Sequence, residues 1–170
     1  MTTLRPTLNS HSTIMKYAIL LTSLLLTPAI SFADDAAKAK LMEAGKAAYM
    51  TCAACHGMDG AGVAAGPKKM APALGASKIA TGDPAVLALV IHNGIAKETQ
   101  DYLGMMAPLG AALDDEKLAS VMTYVRNSFG NTASVVTAED VKKYRAANAT
   151  ITGPVTRAKI DELEKAAEKK

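Results

Sequence analysis

The 170-residue chain contains only two cysteines, and they stand together in Cys52-Ala53-Ala54-Cys55, with His56 directly behind. Three chemistries use cysteines this close. A structural zinc site needs four ligands, usually with a second Cys or His pair at similar spacing. No second pair exists here, and Cys55 and His56, being adjacent, are poorly placed to chelate one ion together. A thioredoxin-like redox pair belongs in a βαβ setting, whereas this chain reads as helical. The third chemistry is covalent haem attachment, for which Cys-x-x-Cys-His is the motif. The two thiols become thioethers to the porphyrin vinyl groups, so neither is left to oxidise. The histidine that follows is held at the iron, because tethering the macrocycle beside it removes the entropy of ligation. The pattern therefore predicts one haem c, with its iron, bound through Cys52 and Cys55 and ligated by His56.

A histidine alone leaves one face of the iron open, and a thioether opposite it closes the site and raises the potential. Met42, Met50 and Met122 sit on predicted helices and are expected to fill core gaps, the default for Met. Met58 lies too close to the tether to reach the far face easily, and Met70 lies in a Lys-flanked loop. Met105 and Met106 stand in a long loop just before Ala107-Pro108-Leu109, where Pro108 restricts the backbone. His92, in Leu89-Val90-Ile91-His92-Asn93-Gly94, is the competing ligand; its simpler reading is a helix-end histidine beside Gly94.

These residues must be positioned by helices. A first helix is predicted from about Asp35 to Met50, with Leu41, Gly45 and Tyr49 on one face. Gly45 inside it implies close approach by another backbone. Asp83-Pro84 opens a second helix, Asp as cap and Pro as first residue, which stops at Gly94 and is apolar nearly all round. A third begins at Asp114-Asp115-Glu116 and runs to Phe129-Gly130, with Leu118, Val121, Met122, Val125 and Phe129 as its stripe. Two tail helices open at Thr137, in a Thr-x-x-Asp capping pattern, and at Thr156; the last is expected to be peripheral. Thr51 to Gly82 and Ile95 to Leu113 read as long loops, a length that is uncommon without a function. The scarcity of aromatic side chains (no Trp, two Phe, five Tyr) leaves room for a bulky apolar cofactor.

Residues Met15 to Ala33 have a short basic start, an apolar run and a small-residue end, the layout of a secretory signal peptide cut after Ala33. The apolar run is short for a bilayer span and is broken by Pro28, so an uncleaved anchor is the lesser alternative. Met15 is a candidate true start. Removing this segment takes Arg5 and Lys16 from 19 basic residues set against 16 acidic ones, and leaves a nearly neutral chain. Near-neutrality argues against nucleic acid as the main partner. Export would place the cysteines in an oxidising compartment, where free thiols do not last. The predicted organisation is a signal peptide at 1–33, a haem domain at 34–131 and a helical C-terminal extension at 132–170.

The stretches Cys52-Ala53-Ala54-Cys55-His56-Gly57, Ala71 to Ser77, Met105 to Gly110 and Leu118 to Asn131 together resemble the class I cytochromes c. The likeness is to small exported bacterial members related to the cytochrome domains of periplasmic dehydrogenases and nitrite reductases. It covers most of Leu41 to Ala147. It implies an all-α cytochrome c fold, with three main helices and two long loops wrapped around the haem. In that family the ligand methionine commonly precedes Pro-Pro, which aligns Met106 with it; this chain departs by having Ala107 first and Met105 alongside. The same resemblance implies that Pro72 lends its carbonyl to the His56 ring, that Gly45, Tyr49 and Tyr124 mark a helix crossing, and that the remaining role is electron transfer.

With a protein ligand on each side, the iron has no position for substrate. Apart from the haem motif the chain shows no acid–base pair, activated nucleophile or phosphate-binding loop. The expected function is a non-enzymatic periplasmic carrier of single electrons between a donor and an acceptor protein. Lys68, Lys69 and Lys97 are candidates for steering an acidic partner, or simply a solvated face. A haem enzyme or gas sensor with a labile distal ligand stands as one alternative. A fixed electron-transfer subunit, peripherally associated with a membrane complex, stands as another.

Overall fold

The computed structural model describes residues 29–169, so the predicted signal peptide and the Met15 start fall almost wholly outside the described residues. Residues 37–169 belong to one compact unit, which holds every candidate residue.

Helix α1, Ala29–Ala48, begins upstream of the predicted start. It barely pauses at Tyr49 before α2, Met50–His56: the Tyr49 amide bonds the Gly45 carbonyl, and the Tyr49 carbonyl accepts from Cys52 and Ala53. The Cys-x-x-Cys-His motif thus lies on a helix and not in the predicted loop. The reason is local, since an Ala-rich run with no Gly or Pro continues as helix until Gly57, whose φ of 77° an L-residue rarely adopts.

The chain after Gly57 forms a small antiparallel hairpin, β1 (Ala64–Ala65) and β2 (Lys68–Lys69), with Ala64 opposite Lys69. Strands this short show no alternation, which is why the sequence does not reveal them. A single turn, α3 (Lys78–Thr81), is capped by Ser77. Helix α4, Pro84–Asn93, has Asp83 as cap, Pro84 first and Gly94 after its end, and Val86 to Ile91 are buried. Helix α5, Asp115–Arg126, is capped by Asp114 accepting from the Lys117 amide at 2.8 Å.

Helix α5 ends short of the predicted Phe129. Asn127 turns its side chain back to the Thr123 carbonyl at 3.0 Å, and Phe129 takes the left-handed conformation, φ 60°. The turn folds its ring onto Tyr49 at 5.2 Å and edge-on to Tyr124 at 5.8 Å, while Tyr49 and Tyr124 stand 5.3 Å apart. Phe129 therefore still packs on the core, through a turn and not a helical face. Beside this cluster α1 crosses α5 at Gly45, where an added Cβ would overlap the Ser120 carbonyl and the Tyr124 Cβ.

The tail packs on the same unit. Helix α6, Ala138–Ala147, opens on a capping box between Thr137 and Asp140 and packs on α4 and α5. Helix α7, Arg157–Ala167, is capped by Thr156 and packs on α4. Its Ile160 is 2% exposed among Val86, Leu89, Val90, Ile95 and Val155. The last helix is therefore anchored, although most of its surface is exposed as its composition suggests. Met122 fills the core as expected; Met50, 58% exposed, does not.

Candidate functional site

Helix α2 carries three of the candidate side chains. Cys52 and Cys55 are unpaired thiols, the first half-buried and the second exposed. Burial pushes the Cys52 thiol above its ordinary value. The helix end is held by Tyr49, whose buried hydroxyl donates to the Gly57 carbonyl at 2.7 Å. Burial, then the neighbouring Cys52, raise that phenol well above its usual range, which keeps it a donor. The following loop is laced back to the motif by Gly62 N–H to the His56 carbonyl at 2.8 Å and Val63 N–H to the Cys55 carbonyl at 3.0 Å.

The His56 ring is fixed by one contact, Nδ1 to the Pro72 carbonyl at 3.1 Å. A carbonyl only accepts, so Nδ1 carries the proton, and in the neutral ring Nε2 keeps a free lone pair. Burial lowers the pKa of the ring and so favours its neutral form; the Pro72 bond acts the other way on the pKa, but within the neutral ring it selects the tautomer with the proton on Nδ1. Pro72 is itself positioned through the next residues. Asn131, buried, accepts from the Ala76 amide at 2.9 Å and donates to the Leu74 and Val125 carbonyls at 2.9 and 3.0 Å. The sequence reading did not single out Asn131. The only available signal was a short amide just past Gly130, where such residues bond neighbouring backbone.

Met105 and Met106 lie in a loop that is less free than its length suggests. Ile95 and Met106 exchange backbone bonds at 2.9 and 3.1 Å, Leu109 N–H reaches the Ile91 carbonyl at 3.0 Å and Gly110 N–H the His92 carbonyl at 3.1 Å. Met106 is half-buried and packs against both apolar clusters, whereas Met105 is 55% exposed. Lower in the loop, Leu103 N–H bonds the Lys69 carbonyl at 3.1 Å. The loop is thereby tied to the hairpin that follows the Cys-His motif.

Cys52, Cys55, His56, Pro72, Met105 and Met106 all line one cleft of about 210 Å³, which is partly open to solvent. The remaining wall is mainly aliphatic, from Leu74, Ile79, Leu87, Val90, Ile91, Leu109, Val121 and Val125. A mostly apolar, open-edged slot with two thiols, an imidazole nitrogen and a thioether on its walls suits an apolar macrocycle that carries a metal. His92 stands elsewhere: it lines a separate pocket with Tyr144 and Asn148, and its Nδ1 is 2.8 Å from Asn93 Oδ1. Lys68 and Lys69 send their ammonium groups to the Gln100 and Ala61 carbonyls at 2.7 and 2.6 Å, which braces the loops. Among the described residues, no helix is long and apolar enough to cross a membrane.

The cytochrome c family model matches residues 42–129, just over half of the chain. The cytochrome c subunit of the quinone alcohol dehydrogenase from Gluconobacter oxydans (strain 621H) is 34% identical over 113 residues, covering 64% of this chain and 23% of that protein. The corresponding subunits of Gluconacetobacter polyoxogenes and Komagataeibacter europaeus are each 35% identical over 104 residues, covering 59% of this chain and 22% of theirs. The chain thus spans less than a quarter of the length of these relatives. A helical fold closed around an apolar slot, with the attachment motif on its wall and the family match across its core, establishes that this chain belongs to the cytochrome c family, whose haem c is bound covalently.

Proposed function

We propose that the chain is an exported electron-transfer cytochrome with one haem c in the cleft, held by Cys52, Cys55, His56, Pro72 and Met106. The observation that carries this is the His56 ring, pinned by Nδ1 to the Pro72 carbonyl at 3.1 Å in the same apolar cleft that Met106 lines. When bound, haem c supplies an iron that takes up and returns one electron at a time.

The chain's own residues do the rest. Cys52 and Cys55 would hold the macrocycle covalently, each supplying its thiol sulfur as a thioether link. His56 offers the Nε2 lone pair from a ring whose tautomer and orientation the Pro72 bond fixes, which strengthens its donation. Met106 would supply its thioether as the second protein ligand; its grip on Ile95 and its burial favour it over the exposed Met105. Two protein ligands would leave no position for a substrate, and the role supported is the passage of electrons between redox proteins. The exposed edge at Cys55 is the natural docking face, small and weakly held. The arrangement proposed is an export segment at 1–33, a haem domain at 34–131 and an extension at 132–170, with the mature protein in the periplasm.

A second reading is favoured by the relatives, which are cytochrome c subunits of quinone alcohol dehydrogenases. On that reading the chain is a fixed electron-transfer subunit of a larger oxidoreductase, with the same chemistry. Co-purification with a dehydrogenase separates the two.

Visible spectra of the exported protein, oxidised, reduced, and reduced with carbon monoxide, test the site. A low-spin spectrum with the weak far-red sulfur-to-iron band, indifferent to carbon monoxide, is expected for the parent and for Met105→Ala. Met106→Ala should lose the band and bind carbon monoxide. Ready carbon monoxide binding by the parent would sink the carrier reading in favour of catalysis or sensing.

A further inference from the structure

We propose that Arg157, the first residue of α7, receives a haem propionate, so that the C-terminal extension completes the cofactor site. This rests on the reading that haem c fills the cleft. Among the described residues lining that cleft, Arg157 is the one that is always cationic. It is also the sole contribution of the chain beyond residue 131 to the lining.

The side chain is delivered and oriented by its surroundings. Val155 N–H bonds the Gly94 carbonyl at 3.0 Å, and Ala96 N–H bonds the Val155 carbonyl at 2.9 Å. This ladder sits beside the Ile95–Met106 pairing, so the tail and the Met106 segment are gripped by the same short stretch. The Arg157 amide donates to Glu98 Oε1 at 3.0 Å. Its guanidinium lies 5.1 Å from the centroid of the Tyr102 ring, itself a cleft residue, a contact that holds the fork in place by cation–π attraction.

What this anchoring leaves is an unused donor. Arg157 Nε is buried with no hydrogen-bond partner among the described residues. Glu98 Oε2 is 3.9 Å away, too far for a hydrogen bond. A buried guanidinium N–H without an acceptor is costly. The ligand chemistry meets the need: thioether formation consumes the vinyl positions of the macrocycle, and its only charged substituents are two carboxylates. A carboxylate entering a mostly aliphatic cleft needs a compensating charge, and the guanidinium fork matches carboxylate geometry.

The consequence is electrostatic. An uncompensated propionate near the iron favours the oxidised, more positive state, so removing the Arg157 charge lowers the reduction potential. The experiment uses the full-length holoprotein and its Arg157→Gln, Arg157→Lys and Glu98→Gln variants, at one pH. Reduction potential is read by equilibrium titration, and propionate bending by resonance Raman. Arg157→Gln should lower the potential and shift the propionate bands while the low-spin spectrum is retained, with Arg157→Lys between it and the parent. Glu98→Gln should not lower the potential, since it removes a negative charge. Unmoved potential and bands in Arg157→Gln overturn the proposal, as does an equal fall in Glu98→Gln, which would make Arg157 a brace for the tail. If Arg157→Gln does not hold haem, Arg157→Lys decides: parent-like potential and bands there overturn it. A parent without a haem c spectrum overturns the cofactor reading itself, an outcome distinct from these.

Discussion

Gly45→Ala sets two effects of opposite sign against each other, and the structure decides which wins. In an isolated helix the change stabilises by about 1 kcal/mol, because Ala is the better helix former. At the α1–α5 crossing the new Cβ would stand 2.7 Å from the Tyr124 Cβ and closer still to the Ser120 carbonyl oxygen. Neither obstacle is the loose end of a flexible side chain, so the helices must separate. Overpacking of this kind costs about 1–3 kcal/mol. Separation also stretches the contacts of Tyr49 with Tyr124 and Phe129, now at 5.3 and 5.2 Å; aromatic pairs contribute about 0.5–1.5 kcal/mol each beyond area burial. The net expectation is destabilisation by about 1–5 kcal/mol, the sum of these costs less the propensity gain. Urea unfolding followed by far-UV circular dichroism of the holoprotein measures it. A variant more stable than the parent would show that α1 does not touch α5 here, and that the frame holding α2 is wrong.

Two further perturbations probe the tail. Ile160→Ala empties a position 2% exposed at the contact of α7 with α4, and should cost about 2–4 kcal/mol in the same unfolding assay; a change below about 0.5 kcal/mol, the range of surface substitutions, would mean that α7 is not docked. Asp140 accepts from the Thr137 hydroxyl at 2.6 Å and the Thr137 amide at 3.0 Å, and these bonds hold its carboxyl below the ordinary range. A carboxyl lowered by folding stabilises above its unfolded value, about pH 4, and that contribution disappears as pH falls through the depressed folded value. Asp140→Asn should therefore cost about 0.5 kcal/mol near pH 6, a modest figure for an exposed cap, and nothing once the parent carboxyl is protonated. A stability difference constant from pH 6 to pH 2 would refute the capping box as its source.

Features that depend on neighbours within a few residues are legible in the chain before it folds. The Cys52, Cys55 and His56 register announces its chemistry without any fold. Asp83-Pro84 and Gly94 bound α4 because a cap, a ring-locked φ and a residue free to take positive φ act on the adjacent backbone. Thr137 and Thr156 open the tail helices for the same reason. The long-loop reading of Thr51 failed where a helical stretch needed only the absence of a breaker, a weaker signal than its presence.

Tertiary structure decided the rest. Met105 and Met106 are chemically identical neighbours, and only the pairing of Ile95 with the second buries one and exposes the other. Phe129 has the right spacing to continue α5, yet its packing on Tyr49 and Tyr124 comes from a left-handed turn that no periodicity encodes. Arg157 meets Tyr102 from more than fifty positions along the chain because Val155 binds the backbone at Gly94 and Ala96. Local propensity acts through one or two turns of chain, whereas a cleft is walled by segments whose meeting depends on every contact between them.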